Sequence, residues 1–327
     1  MNTFPNRYQR QTMLPDIGNA GQARLRGASV LVVGAGGLGA PVLQYLAGAG
    51  IGHLTVVDPD RVAVENLHRQ TIFAESDAGR PKVEAAAAYC RRLNSDVSVT
   101  ARDEALTPLH AKAWVPEADV VLDCADSFAV SYMLSDAGRD AGTPLISASV
   151  AGRSGYVGGY CGGVPSLRAV FPDLPETLAS CAATGVMGPV VGLIGSLQAQ
   201  MALHLLLGMT PSPLGQLVQV DAATFRSSTF RFDGSPEPET VWPFIARSEI
   251  RETDLVIELR GEAEAPVPVT PNALRSLPDV LDPEQRVVLC CAAGIRAWHA
   301  AKRLAEKGPR EMVLLAAGAS SVGCVYE

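Results

Sequence analysis

The stretch from Ser29 to Asp58, SVLVVGAGGLGAPVLQYLAGAGIGHLTVVD, constrains this chain most. Its first residues, Ser29–Val33, form a β-branched run of the kind found in strands buried on both faces. Gly34-Ala-Gly36-Gly37-Leu-Gly39 follows at once, Ala40–Ala49 has helical composition, and His53–Val57 reads as a second strand closed by Asp58. This is a G-x-G-x-x-G turn in the strand–turn–helix setting that gives the motif meaning. The glycines let backbone N–H groups approach a phosphate, and the following helix N-terminus adds a favourable partial charge. Asp58 falls where a carboxylate can hold a ribose. From this stretch alone an NAD-dependent oxidoreductase fits as well as an ATP-using enzyme, and a glycine-rich turn that binds nothing stands as the bland alternative.

The surrounding pattern predicts the fold class. Asp16–Arg26 reads as a short helix, and Pro81 near a first turn opens an Ala-rich helix after Gly79-Arg80. Val97–Ala101, Asp119–Asp123 and Pro144–Ser149 read as strands, with a helix over Phe128–Ala141. Such alternation gives an α/β protein with a doubly wound, Rossmann-like, mostly parallel sheet. Right-handed crossovers then place the ligand at the C-terminal strand ends, where Gly37, Asp58 and Asp126 converge. From Gly155 onward the texture is strand-rich: Tyr156–Tyr160, Leu167–Phe171, Gln216–Val220 and Phe225–Phe232, interrupted by one long helix over Val186–Leu207. The expected organisation is one domain over residues 1–232, a linker at 233–240 with the composition DGSPEPET, and a small α/β domain over 241–327.

Charge narrows the partners. Among 327 residues, 27 basic side chains against 34 acidic ones give a net charge of −7, which argues against general binding to nucleic acid or to a membrane surface. The apolar stretch near Val186–Leu207 carries Gln198, Gln200 and His204 and reads as a buried helix, not a membrane span. Seven scattered cysteines without paired spacing suit a reducing cytoplasm. Within the nucleotide half, Arg69 and Lys82 follow the second strand, and Arg10 is a third candidate cation. Asp126, at a strand end, is placed to hold magnesium. Cations and a metal disposed to neutralise a leaving pyrophosphate are what nucleotidyl transfer needs, whereas a nicotinamide enzyme does not need them.

These pieces carry a resemblance. RYQRQ, the glycine-turn stretch, ENLHRQ, GRPKVEAA, DVVLDCADS and SCAATGVMGPVVGLIGSLQA occur, in that order, as in the ThiF/MoeB family of bacterial relatives of ubiquitin-activating enzymes. The resemblance implies an adenylyltransferase that uses MgATP to activate the C-terminal Gly-Gly carboxylate of a small ubiquitin-like sulfur-carrier protein, which a sulfur donor then converts to a thiocarboxylate. It implies that Gly34, Gly36, Gly37 and Gly39 cradle the nucleotide, that Asp58 takes the ribose, that Asn66, Arg69 and Lys82 attend the phosphates, and that Glu65 also takes part in binding the cofactor. Asp126 would sit by magnesium and the attacked α-phosphate. Ser127 stands where relatives usually carry Asn. Arg10 matches an arginine that relatives supply to a partner subunit's site, which implies a homodimer.

Two departures bear on the chemistry. Relatives often hold a structural zinc with two C-x-x-C pairs, but Ser166–Ala169 and 234–238 contain no cysteine, so no zinc site is expected. Cys181 matches a cysteine that carries sulfur or acyl groups in some relatives; a covalent role stands beside that of a small buried residue.

The C-terminal piece resembles a shortened rhodanese domain. Asp254–Arg260 is similar to its opening strand and Arg turn, and Cys291-Ala-Ala-Gly-Ile-Arg296 to its C-x-x-G-x-R active loop. There, loop N–H groups and a helix dipole lower the thiol pKa and stabilise a persulfide. This implies that Cys291 is the nucleophile and that a persulfide sulfur donor is a further partner. The alternatives to the enzyme are a non-catalytic carrier-binding scaffold and, less well supported, the oxidoreductase.

Overall fold

The structure, a computed structural model, describes residues 7–174, 185–278 and 281–318. Strands β1 (Ser29–Val33), β2 (His53–Val57), β3 (Ser98–Arg102), β4 (Val120–Asp123), β5 (Leu145–Ala151), β6 (Ser154–Tyr160), β7 (Gln216–Asp221) and β8 (Arg226–Arg231) form one eight-stranded sheet. Its order is β3-β2-β1-β4-β5-β6-β7-β8. The first five strands pair in parallel and the last three join antiparallel. Parallel strands need crossovers that cover both sheet faces, and the central strands are accordingly buried: every residue of β4 is, and all of β1 but Ser29.

The helices are α1 (Gln9–Thr12), α2 (Gly18–Gly27), α3 (Gly39–Ala49), α4 (Lys82–Leu93), α5 (Pro108–Trp114), α6 (Phe128–Ala141), α7 (Leu167–Val170), α8 (Gly188–Leu206) and α9 (Ile295–Ala305). Helix α8 is apolar and long enough to cross a bilayer by length and composition. Here it packs on α3, β5 and β6, and its buried Gln198 donates to the carbonyls of Asp123 and Ile146 at 2.7 and 3.0 Å. A polar side chain spent on tying two strand ends explains a glutamine inside so apolar a helix.

One expected strand is a helix. Leu167–Phe171 has strand-like composition, yet Leu167–Val170 forms α7, with the Ser166 side chain accepting from Ala169 N–H as N-cap. The turn is further held because Leu167 N–H donates to Ser135 Oγ at 3.0 Å and Arg168 grips Asp136 at 2.7 and 2.9 Å. Tertiary partners on α6 override a weak local preference.

A separate three-stranded parallel sheet, in the order β11-β10-β9, is built from β9 (Leu255–Glu258), β10 (Val287–Cys291) and β11 (Met312–Ala316), with α9 connecting β10 to β11. Its residues Ile257, Leu289 and Trp298, together with Phe244, share one apolar cluster with Val33, Tyr132 and Met133. The C-terminal sheet is thus packed onto the α6 side of the large one.

Candidate active site

The five residues of RYQRQ divide by role. Arg7 donates to the Leu93 carbonyl at 2.7 Å, Tyr8 receives Asn94 Nδ2 at 2.8 Å, and Gln11 bonds Gln22 and the Ala49 carbonyl at 2.7 and 3.1 Å. These contacts fasten α1 to the body. Arg10 is exposed and makes no hydrogen bond or ion pair with the described residues.

At the C-terminal strand ends lies a cleft of about 410 Å³, within the range of small-molecule sites. Gly34, Gly36, Gly37, Asp58, Asn66, Arg69, Lys82, Asp126 and Ser127 all line it. Gly34 has φ +99°, and a Cβ there would meet the Cys124 carbonyl oxygen at 2.6 Å, so only glycine lets the turn pass the end of β4. Gly37 faces Val191 of α8 and the Arg69 side chain, where a Cβ would clash at 2.8 Å with the former. Gly39 starts α3 against the Gly34 carbonyl and is outside the cleft lining. Two of the glycines thus serve close packing of protein on protein as well as any ligand.

Asp58 is 6% exposed. Its Oδ2 accepts from Ala35 N–H at 2.7 Å and its Oδ1 from Asp60 N–H at 2.8 Å, which locks the glycine turn to the end of β2. Each oxygen keeps acceptor capacity for a hydroxyl. Burial raises its pKa, and the charge of Lys82 opposes that rise. Lys82, 5% exposed at the start of α4, places Nζ 2.8 Å from Asp60 Oδ2. Arg69 donates to Asn66 Oδ1 at 2.7 Å and to His68 Nε2 at 2.8 Å, so Asn66 orients the guanidinium that faces the glycine turn. Glu65 is exposed and is not part of the cleft wall.

Asp126 is exposed and forms no hydrogen bond to the described residues. The loop carrying it is set from beneath by fully buried Asp123, whose Oδ2 accepts from Ser147 Oγ at 2.7 Å and Oδ1 from Ala125 N–H at 3.2 Å. Burial pushes the Asp123 carboxyl up to about 6.

The cleft also uses residues that the motifs did not single out. Gln70 is 3% exposed, lines the cleft and leaves Oε1 without a partner among the described residues; its only signal was its place at the end of ENLHRQ. Asp60, Ser147, Tyr156 and Phe171 are among the others. Cys181 lies outside the described residues.

Cys291 ends β10. Its thiol accepts N–H bonds from Gly294 at 3.1 Å and Ala297 at 3.4 Å, at the N-terminus of α9, and is 1% exposed. The opening strand's Glu258 and Arg260 form a buried ion pair at 2.7 Å, and Arg260 also donates to the Gly318 carbonyl at 2.8 Å. A Cβ on Gly294 would meet Phe244 and, at 3.3 Å, Ala129 of α6. The cysteine loop and the cleft therefore lie on two sides of the first turn of α6, since Phe128, Val130 and Ser131 line the cleft.

The 166–169 turn and the 234–238 segment are joined without cysteine. Ser166 N–H and Oγ donate to Glu237 at 2.7 and 2.6 Å, so a carboxylate links the 166–169 turn to the segment after β8.

A glycine turn, a ribose-type carboxylate and two cations at the switch region of a mostly parallel sheet define a nucleotide-binding α/β protein. Residues 8–240 match the ThiF family, and the chain belongs to it. It is 48% identical over 219 residues to adenylyltransferase and sulfurtransferase MOCS3 of Sus scrofa, a match covering 66% of this chain and 48% of the relative. It is 42% identical over 238 residues to the sulfur carrier protein adenylyltransferase of Thermus thermophilus, covering 69% and 87%. With the SAMP-activating enzyme E1 of Haloferax volcanii it shares 39% over 234 residues, covering 71% and 87%. The matched part spans about half the length of the MOCS3 relative. The fold is that of E. coli MccB, solved with MccA-N7isoASN: TM-score 0.63 at 24% identity, covering 71% of this chain and 74% of that one.

Proposed function

We propose that this chain is an ATP-dependent adenylyltransferase that activates the C-terminal Gly-Gly carboxylate of a small ubiquitin-like sulfur-carrier protein. The observation that carries the reading is the gathering of Lys82, Arg69 and Asp126 around the glycine turn in one cleft. In the reaction, a carboxylate oxygen of the carrier forms a bond to the α-phosphorus of ATP. The bond from that phosphorus to the bridging oxygen breaks, and pyrophosphate departs with the electron pair. Asp58 holds the ribose, Lys82 and Arg69 offset the charge of the departing group, and Asn66 keeps Arg69 aimed. Magnesium fits Asp126, an exposed carboxylate in the cleft, because this ion takes one or two carboxylates together with substrate phosphate oxygens. When bound it neutralises phosphate charge. Arg10, exposed on a firmly anchored helix, serves in this reading the site of a second subunit in a homodimer.

Sulfur is the second half of the reading. Cys291, held by two N–H groups at a helix N-terminus, attacks the outer sulfur of a persulfide donor within a rhodanese-like unit; the new S–S bond gives the Cys291 persulfide as the donor's S–S bond breaks and its thiolate leaves. The name of the MOCS3 relative, which pairs adenylyltransferase with sulfurtransferase, supports this coupling.

Exchange of labelled pyrophosphate into ATP, dependent on a Gly-Gly carrier protein, tests the assignment. Carrier-dependent exchange is expected. Tight NAD binding without any response to ATP would return the chain to the oxidoreductases, and carrier binding without exchange would make it a scaffold.

A further inference from the structure

Beyond β4 the cleft continues across the ends of β5 and β6, and its far wall is aromatic. Tyr156 and Phe171 stack with centroids 5.3 Å apart at 28°. Both line the cleft, as do Tyr132 and Leu167. The wall is braced from behind. Tyr132 Oη donates to the Phe171 carbonyl at 2.8 Å, and the Arg168 guanidinium lies 4.3 Å from the Tyr132 ring centroid. Arg168, itself buried, is clamped by both Asp136 oxygens at 2.7 and 2.9 Å. On the other side Tyr156 sits opposite Ser149 in the β5–β6 hairpin. Tyr156 is backed by its stack on Phe171, and the Phe171 carbonyl is held in turn by Tyr132, so the wall does not swing aside cheaply.

The sheet itself supplies a ruler. From β2, which carries Asp58, to β6, which carries Tyr156, there are four strand steps, or roughly 19 Å at about 4.8 Å each. The nucleoside end is fixed at β2 and the attacked phosphate at Asp126, just past β4. That leaves β5 and β6, roughly 10 Å, for the acyl group. An extended chain advances roughly 3.3 Å per residue, and its carboxylate must touch the phosphate. The Cα of the last residue then lies over β5, and the residue before it passes Tyr156.

We propose that the Tyr156–Phe171 wall is the element that limits the last two residues of the activated tail to glycine, with Tyr156 acting on the penultimate position. This rests on the adenylation reading and adds to it which side chains set the specificity. A Cβ on the penultimate residue would press on a ring backed by Phe171. An extra methyl group in a filled pocket changes discrimination by roughly ten- to 200-fold.

The test uses a ubiquitin-fold sulfur-carrier protein ending in Gly-Gly, and the same protein ending in Ala-Gly, in pyrophosphate exchange with the full-length chain. Wild type should prefer Gly-Gly by tenfold or more in kcat/KM. Tyr156→Ala should cut that preference at least tenfold by admitting Ala-Gly, while Tyr156→Phe, which keeps the ring, should retain it. An unchanged melting temperature shows that Tyr156→Ala remains folded. If it does not, Tyr156→Leu, which narrows the wall and fills the core, should show the same direction. If wild type discriminates but Tyr156→Ala and Tyr156→Leu discriminate equally well, the wall is not the filter. If wild type exchanges with neither carrier, the adenylation reading has failed and the filter falls with it.

Discussion

Replacing Lys82 with alanine separates catalysis from stability because of where its two ends lie. The ammonium is inside the cleft wall, but its protein partner Asp60 has a side chain 66% exposed. On losing Lys82, Asp60 keeps its water, so the broken ion pair costs roughly 0–1 kcal/mol of stability. The cation's effect on a developing pyrophosphate is of another size. A preorganised charge aimed at the leaving group is worth about 3 kcal/mol, which is on the order of 100-fold in rate. Lys82→Ala should therefore lower carrier-dependent ATP–pyrophosphate exchange about 100-fold or more and leave the melting temperature nearly unchanged. A second signature follows from Asp58, whose pKa burial raises and Lys82 restrains. Without Lys82 the Asp58 carboxyl protonates more readily, so ATP affinity in the variant should fall off at a higher pH on the acid side than in wild type. Exchange within threefold of wild type, or an acid limb that does not move, would refute both steps of the reasoning.

Three further outcomes are expected. Arg10→Ala and Asp126→Ala chains, each inactive alone, should recover part of the exchange activity when mixed, because a heterodimer holds one intact site; no recovery after confirmed subunit exchange would remove Arg10 from the partner's site. Asp123, pushed up to about 6 from an unfolded value of 3.8, binds its proton more tightly when folded, so it adds stability below about pH 4 that is lost as pH rises through about 6; Asp123→Asn should flatten that part of the melting-temperature profile, and an unaltered slope would place the titration elsewhere. Ser166→Ala removes the α7 cap and the hydroxyl bond to Glu237, leaving the backbone bond, and should cost about 1–2 kcal/mol, while chelators should leave the wild-type melting temperature unchanged; one zinc per chain by elemental analysis would contradict this.

Much of the nucleotide half was legible because its signals are local. The glycine turn, Asp58 and the start of α4 each sit within a few residues of a strand or helix boundary, where periodicity and turn chemistry are readable. The aromatic wall was not, since Tyr132, Phe171 and Tyr156 come from three elements and meet only through packing. The same holds for Glu237. Its Pro/Glu-rich surroundings read as a linker, yet its carboxylate is fixed to Ser166, a partner 71 residues away. Leu167–Phe171 was misread for a related reason: the capping Ser166 and the Arg168–Asp136 pair decide its conformation, and neither outweighs a β-branched composition in a local reading. Asp123 and Asp126 flank one Cys-Ala dipeptide and look alike in sequence, but one is fully buried and the other exposed, so only the latter can meet a ligand.

The packing of the C-terminal sheet limits how sulfur can reach an activated carrier. Cys291 is covered on the side where Gly294 meets Phe244 and Ala129, and the acyl-adenylate would form beyond that same turn of α6. On the proposed reading, sulfur from Cys291 would have to pass around this turn, because going through it would require unwinding the helix whose first residues wall the cleft. What holds the two parts together near the route is small and polar: Lys302 of α9 bonds Asp173 at 2.8 Å while lying over the Trp298 ring. The pair is largely solvent-exposed, and exposed ion pairs contribute little. The apolar cluster that joins Phe244 to Tyr132 and Met133 of α6 is the larger contact, so on the proposed sulfur reading a substitution at Phe244 would test delivery without touching the residues of the nucleotide cleft.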